Sequence, residues 1–156
     1  FMRGRAEHAG NRAYYGQARI DAGVGTPIHA ALTRIATLRR DTPALQRGLQ
    51  LPLLLEGDHA AFYRVLGDEG VRQTALVLLN KGDAPWSATL DAAQIAAGRW
   101  RDVLADGALA VDDGASLVVP AHGVRVLVRD DVAVPAALRG RLRTLMVRRL
   151  GGPDSE

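Results

Sequence analysis

The 156 residues contain no cysteine, two Trp, three Tyr and two Phe, a single lysine (Lys81) and no long apolar run. Without cysteine, neither a disulfide framework nor a thiolate-bound metal is available within this chain, and the compartment stays open. The longest apolar stretch, Ala75 to Leu79, falls far short of the roughly 20 residues that a membrane-spanning helix requires. The opening FMRGRAEHAG has no apolar segment behind its charges and is not expected to act as a secretory signal. A hydrophobic content of 47% with 24% charged residues excludes collagen-like and disordered classes and allows a sizeable core.

The net charge of +3 is localised. Residues 132–156 carry Arg139, Arg141, Arg143, Arg148 and Arg149 against Asp154 and Glu156, and the rest is balanced. A neutral body with a basic end argues against an extended nucleic-acid surface, because phosphate affinity needs many cations across one face.

Three regions differ in period. Residues 1–26 show neither a helical nor a strand repeat and read as an irregular loop. Thr26 followed by Pro27 then opens a helix over 27–40, with Ile28, Ala31, Leu32, Ile35 and Leu38 as an apolar stripe and Arg39 and Arg40 in its last turn. A turn over 41–48 leads into short strands at roughly 10-residue spacing, the rhythm of an all-β fold. The expected strands cover 49–55, 60–66, 71–79, 86–90, 99–104, 108–111, 116–119 and 123–128. Between them stand Gly-, Asp- and Asn-rich turns such as Asn80-Lys81-Gly82-Asp83. The fold class is therefore mainly β: an antiparallel Greek-key sandwich of about eight strands over 49–130. Residues 71–79 read as a central strand and residues 60–66 as one nearer an edge. Pro135 opens a possible basic helix in the tail 131–156, with Leu138, Leu142, Leu145 and Met146 on one side and Gly151-Gly152-Pro153 at its end.

Chemistry-bearing clusters are few. His8, His29, His59 and His122 lack metal-ligand spacing, and no GxGxxG, Walker or GxSxG pattern occurs. The carboxylate pairs Asp68-Glu69, Asp112-Asp113 and Asp130-Asp131 read as solvated turn residues rather than as acids set apart in a cleft. Phe62 and Tyr63 must point to opposite faces, so at least one is core; Trp86 and Trp100 read as packing residues. The densest group of directed donors, acceptors and rings is Glu7-His8-Ala9-Gly10-Asn11-Arg12 with Tyr14-Tyr15-Gly16-Gln17, suited either to sugar hydroxyls or to a plain surface loop.

The order of these pieces is similar to one known arrangement. A polar loop holding Asn11-Arg12, the helix PIHAALTRIATLRRDTPAL, then GLQLPL, HAAFYRVL, RQTALVLLNKGD and PAHGVRVLV resemble the C-terminal end of the α-amylase family of glycoside hydrolases, in its cyclodextrin glucanotransferase and bacterial α-amylase branch. The resemblance covers about residues 1–130. It implies that residues 1–48 close a (β/α)8 barrel, with a substrate loop over 1–26, the last barrel helix over 27–40 and a hinge over 41–48. A C-terminal sandwich over 49–130 and the basic tail follow. A barrel takes on the order of 250 residues, so the family's catalytic Asp, Glu and Asp, and calcium if bound, are implied for the rest of the parent enzyme, a retaining α-1,4-glucan hydrolase or glucanotransferase. This chain is expected to supply no catalytic residue, no metal ligand and no cofactor. Arg12 matches a glucose-contacting Arg of the family and Asn11 its neighbour, while His8 stands where those relatives have an Asp; Tyr15, from the ring-bearing stretch beside them, completes the candidate substrate-binding set. The implied partners are an α-glucan or maltooligosaccharide and the remainder of the barrel, with no nucleic acid and no membrane, in a bacterial periplasm or outside the cell. The alternative is a stand-alone sugar-binding or structural β module.

Overall fold

A computed structural model describes the backbone of residues 8–68 and 70–149 and the side chains of residues 16–67 and 70–147. Contacts divide the chain into two units, residues 1–41 and residues 42–156.

The first unit is helical. Helix α1 runs His8–Gly23 and is broken at Gly16, whose φ of 49° and ψ of 162° suit a residue without a Cβ. This corrects the expectation of an irregular loop over 1–26 for residues 8–23; residues 1–7 lie outside the described residues. Ala9, Arg12, Ala13, Gln17, Ala18 and Arg19 favour a helix by intrinsic propensity, but Gly10 and Gly16 interrupt any apolar stripe, so periodicity does not report it. Helix α2 spans Pro27–Asp41. The Thr26 hydroxyl donates to the Gly23 carbonyl at 2.9 Å, and the His29 amide donates to Thr26 Oγ1 at 3.2 Å. That second bond is the side-chain cap that starts the helix. Ile28, Leu32 and Ile35 are 63%, 61% and 51% exposed, and α2 buries no residue. A helix of this length with no packed face is marginal in water.

The second unit begins earlier than residue 49. A short helix α3, Pro43–Arg47, replaces the expected open turn. It belongs with the strands because Thr42 and Ala44 are buried and the Ala44 amide donates to Gln73 Oε1 at 3.0 Å. Gly48 ends α3 where a Cβ would meet the Ala44 carbonyl oxygen at 2.5 Å, so only glycine fits this close approach.

Eight strands follow: β1 Leu49–Glu56, β2 His59–Asp68, β3 Val71–Asn80, β4 Trp86–Asp91, β5 Gly98–Asp102, β6 Gly107–Val111, β7 Gly114–Val119 and β8 Gly123–Arg129. Each lies within two residues of its expected bounds. They form two antiparallel sheets, one ordered β1-β2-β3-β8-β5-β6 and the other β4-β7. The fold is mainly β, and the chain crosses between the sheets at β3–β4, β4–β5, β6–β7 and β7–β8. Strand β3 is central, and residues 73–78 are buried on both faces, which is why its sequence is a continuous apolar run rather than an alternation. Strand β2 alternates: Ala61, Tyr63 and Val65 are buried while Phe62 and Arg64 are half-buried. It lies one strand in from the β1 edge.

Facing side chains fill the gap between the sheets. Tyr63, Leu76 and Leu127 lie in register across β2, β3 and β8, and they share one apolar cluster with Trp100 and with Ala88, Leu90, Leu117 and Val119 of the smaller sheet. Two strands cannot cover the inner face of six. The segment after β8 completes the cover: Ala133, Val134, Leu138 and Leu142 join the same cluster, and Leu145 packs against it. A 3-10 turn, Ala136–Leu138, leads into helix α4, Arg139–Arg149, where Arg141 Nη2 donates to the Pro52 carbonyl of β1 at 2.9 Å. Pro52 suits an edge strand that needs no amide there, and the register of β1 against β2 shifts between Pro52 and Leu54. The basic tail is thus a wall of the domain up to Leu145; Met146 is 43% exposed instead of sharing the stripe, and residues 150–156 lie outside the described residues.

Replacing Leu142 by Ala is expected to lower the unfolding free energy by about 2–4 kcal/mol. Replacing its exposed neighbour Arg143 by Ala should change it by no more than about 0.5 kcal/mol. Urea unfolding of the two variants checks this, and equal losses would mean that α4 is not part of the core.

Candidate functional site

The expected substrate residues His8, Asn11, Arg12 and Tyr15 lie on the helical backbone of α1, and their side chains lie outside the described residues. Positions 8, 11, 12 and 15 stand at i, i+3, i+4 and i+7, the spacing of one helical face, all before the break at Gly16.

In the sandwich, polar side chains gather at the end where the β3–β4 and β7–β8 turns meet. Buried Asn80 is the hub. Its Nδ2 donates to the carbonyls of Ala84 (2.8 Å), Val119 (3.3 Å) and Pro120 (3.0 Å), and its Oδ1 accepts the Gly82 amide at 2.9 Å. An amide carries donors and acceptor on one rigid plane, so a single side chain ties both turns. The His122 amide donates to the Gly82 carbonyl at 3.2 Å, and His122 Nε2 pairs with Asp83 at 2.9 Å. Lys81 Nζ lies 3.2 Å from Asp58, and the His59 and Trp86 rings stack at 4.5 Å with an interplanar angle of 14°. His59 shares the inward parity of Ala61 and Tyr63, and Trp86 that of Ala88 and Leu90, so this pair closes the open end of the core. Asn-Lys-Gly-Asp, read in the sequence as a turn separator, is a structural clasp.

The carboxylates have assigned partners. Asp102, 3% exposed, accepts the amides of Leu104 (3.1 Å) and Ala105 (3.0 Å) on one oxygen and Arg125 Nε on the other. Asp131 is gripped by both Nε and Nη2 of Arg129 at 2.9 and 2.6 Å. Asp130 accepts Gln73 Nε2 at 2.9 Å and Arg101 Nη2 at 3.2 Å. These guanidinium, amide and backbone donors fix the three carboxylates in place, and of the three Asp131 alone is held by two nitrogens of one arginine. Asp112 and Asp113 are exposed, and Glu69 lies outside the described residues. Trp100 is fully buried, donates to the Ala96 carbonyl at 2.9 Å and lies under the Arg129 guanidinium at 5.4 Å; it offers no face to a sugar. The Tyr63 hydroxyl donates to the Gln94 carbonyl at 2.7 Å, and burial pushes its ionisation well above the ordinary phenol value of 10.0. Neither the Asn80 clasp nor the Asp102–Arg125 pair was legible from sequence, because the residues that meet are 39 and 23 positions apart.

Among the described residues no group of three or more His, Asp or Glu side chains is placed to hold a metal ion. No described helix is long and apolar enough to cross a membrane.

No family model and no curated protein matches the chain. Solved structures share its fold. Over 74% of this chain it superposes on AmyP in complex with maltose with a TM-score of 0.59 and 15% identity, covering 22% of that protein. It matches the α-amylase of Geobacillus thermoleovorans solved with acarbose over 64% of its residues, with a TM-score of 0.56 and 24% identity, again covering 22% of the other chain. An Anoxybacillus α-amylase gives a TM-score of 0.55 at 20% identity, with 68% of this chain and 22% of that one covered. The chain thus spans about a fifth of the length of the structures it matches, and at these identities the likeness establishes the fold.

Two outcomes follow from the polar interior. Asn80→Ala, which strands three turn carbonyls, should destabilise the fold by about 2–3 kcal/mol in thermal or urea unfolding; a loss of under about 0.5 kcal/mol would mean that the clasp is ornamental. For Tyr63, whose ionisation is raised on folding, stability is complete below pH 10.0 and falls as pH rises beyond it, by at most about 1.4 kcal/mol per pH unit. Tyr63→Phe should flatten that decline between about pH 10 and 12, and an unchanged slope would assign the loss to other groups.

Proposed function

We propose that this chain is the C-terminal portion of an α-glucan-acting glycoside hydrolase or transglycosylase, of the α-amylase or cyclodextrin glucanotransferase kind. Its sandwich is a stabilising β domain, and its first helix a substrate-contacting segment. The observation that carries the reading is the pairing of an α-amylase-like sandwich, matched at a TM-score of 0.59, with a preceding helix whose Ile28, Leu32 and Ile35 are exposed. Such a stripe needs an apolar neighbour, and the barrel of a longer parent supplies one.

The substrate class is an α-1,4-glucan or maltooligosaccharide. Structures of the same fold are solved with maltose, maltotriose and acarbose. On this reading Arg12 and Asn11 direct hydrogen bonds to glucose hydroxyls, His8 contributes a ring nitrogen on the same helical face, and Tyr15 offers a flat ring with a polar tip. The bond-breaking carboxylates belong to the rest of the parent, where a retaining mechanism places a nucleophile and an acid/base about 5 Å apart. In the sandwich, Asp102, Asp130 and Asp131 are engaged by arginines, which fits a domain without chemistry of its own.

A stand-alone sugar-binding module is favoured only by Trp86, which is half-buried where Trp100 is sealed in the core. Titrating the chain with maltoheptaose while following tryptophan fluorescence separates the two: no saturable change is expected, and saturable quenching would support the module. Incubated with starch or maltoheptaose, the chain should release no reducing sugar, and turnover would contradict the placement of the carboxylates elsewhere. In the parent enzyme Arg12→Ala should raise KM for maltooligosaccharides by about tenfold or more, a loss of about 1.4 kcal/mol of binding. Unchanged kinetics would remove α1 from the substrate site.

A further inference from the structure

We draw no further inference here: the strongest candidate, the outward side of the six-stranded sheet around its uncharged cross-strand row Ala60, Leu79 and Val124, carries none because nothing in the structure shows what covers it.

Discussion

The inner face of the six-stranded sheet has only two strands to face it, and most of the fold answers that mismatch. An apolar sheet face left in water forfeits about 25 cal/mol for each Å² that burial would have removed. Large residues answer it where the small sheet reaches: Tyr63 and Trp100 are both fully buried, with ring centroids 6.4 Å apart. Beyond its reach, the chain turns back after β8 and lays Ala133, Val134, Leu138 and Leu142 into the same cluster. Arg139, Arg141 and Arg143, which look like part of a detached basic tail, are therefore on the outer side of a helix whose inner side is core.

Bringing strands from two sheets together also brings turns together, and their backbone groups must be paired. Asn80 does this at one end. At the other, Thr74 donates to the Asp131 carbonyl at 2.7 Å and accepts the Ala133 amide at 2.9 Å, which fixes where the chain leaves β8. Arginines hold the nearby carboxylates: Arg125 on Asp102, Arg129 on Asp131 and Arg101 on Asp130. The buried members of this set, Asn80, Thr74 and Asp102, specify geometry because each is satisfied.

The sequence reveals local features well and distant ones poorly. Every strand is bounded by turn residues such as Gly57-Asp58 or Gly107, and β3 shows its central place by the run Ala75 to Leu79, because both signals depend on neighbours a few positions apart. Helix α2 is legible from Thr26, Pro27 and its stripe. Helix α1 is not, since Gly10 and Gly16 interrupt a segment that is helical by propensity. Nor is the packing of Leu138 and Leu142, because a stripe on a helix shows that a face is buried without showing against what. For the candidate site, the residue types His8, Asn11, Arg12 and Tyr15 were legible as a group; their common helical spacing needed the backbone.

The central claim is that residues 42–149 form one cooperative domain while α2 carries an exposed apolar stripe of its own. Native-state amide hydrogen exchange tests it most directly, because it reads the opening free energy of each segment separately. The account predicts that amides of β3, β8 and Leu138–Leu145 exchange only with global unfolding, whereas those of Ile28–Leu38 exchange close to the rate of an unprotected helix. Protection of Ile28–Leu38 equal to that of β3, or exchange of Leu138–Leu145 while β3 stays closed, would contradict it.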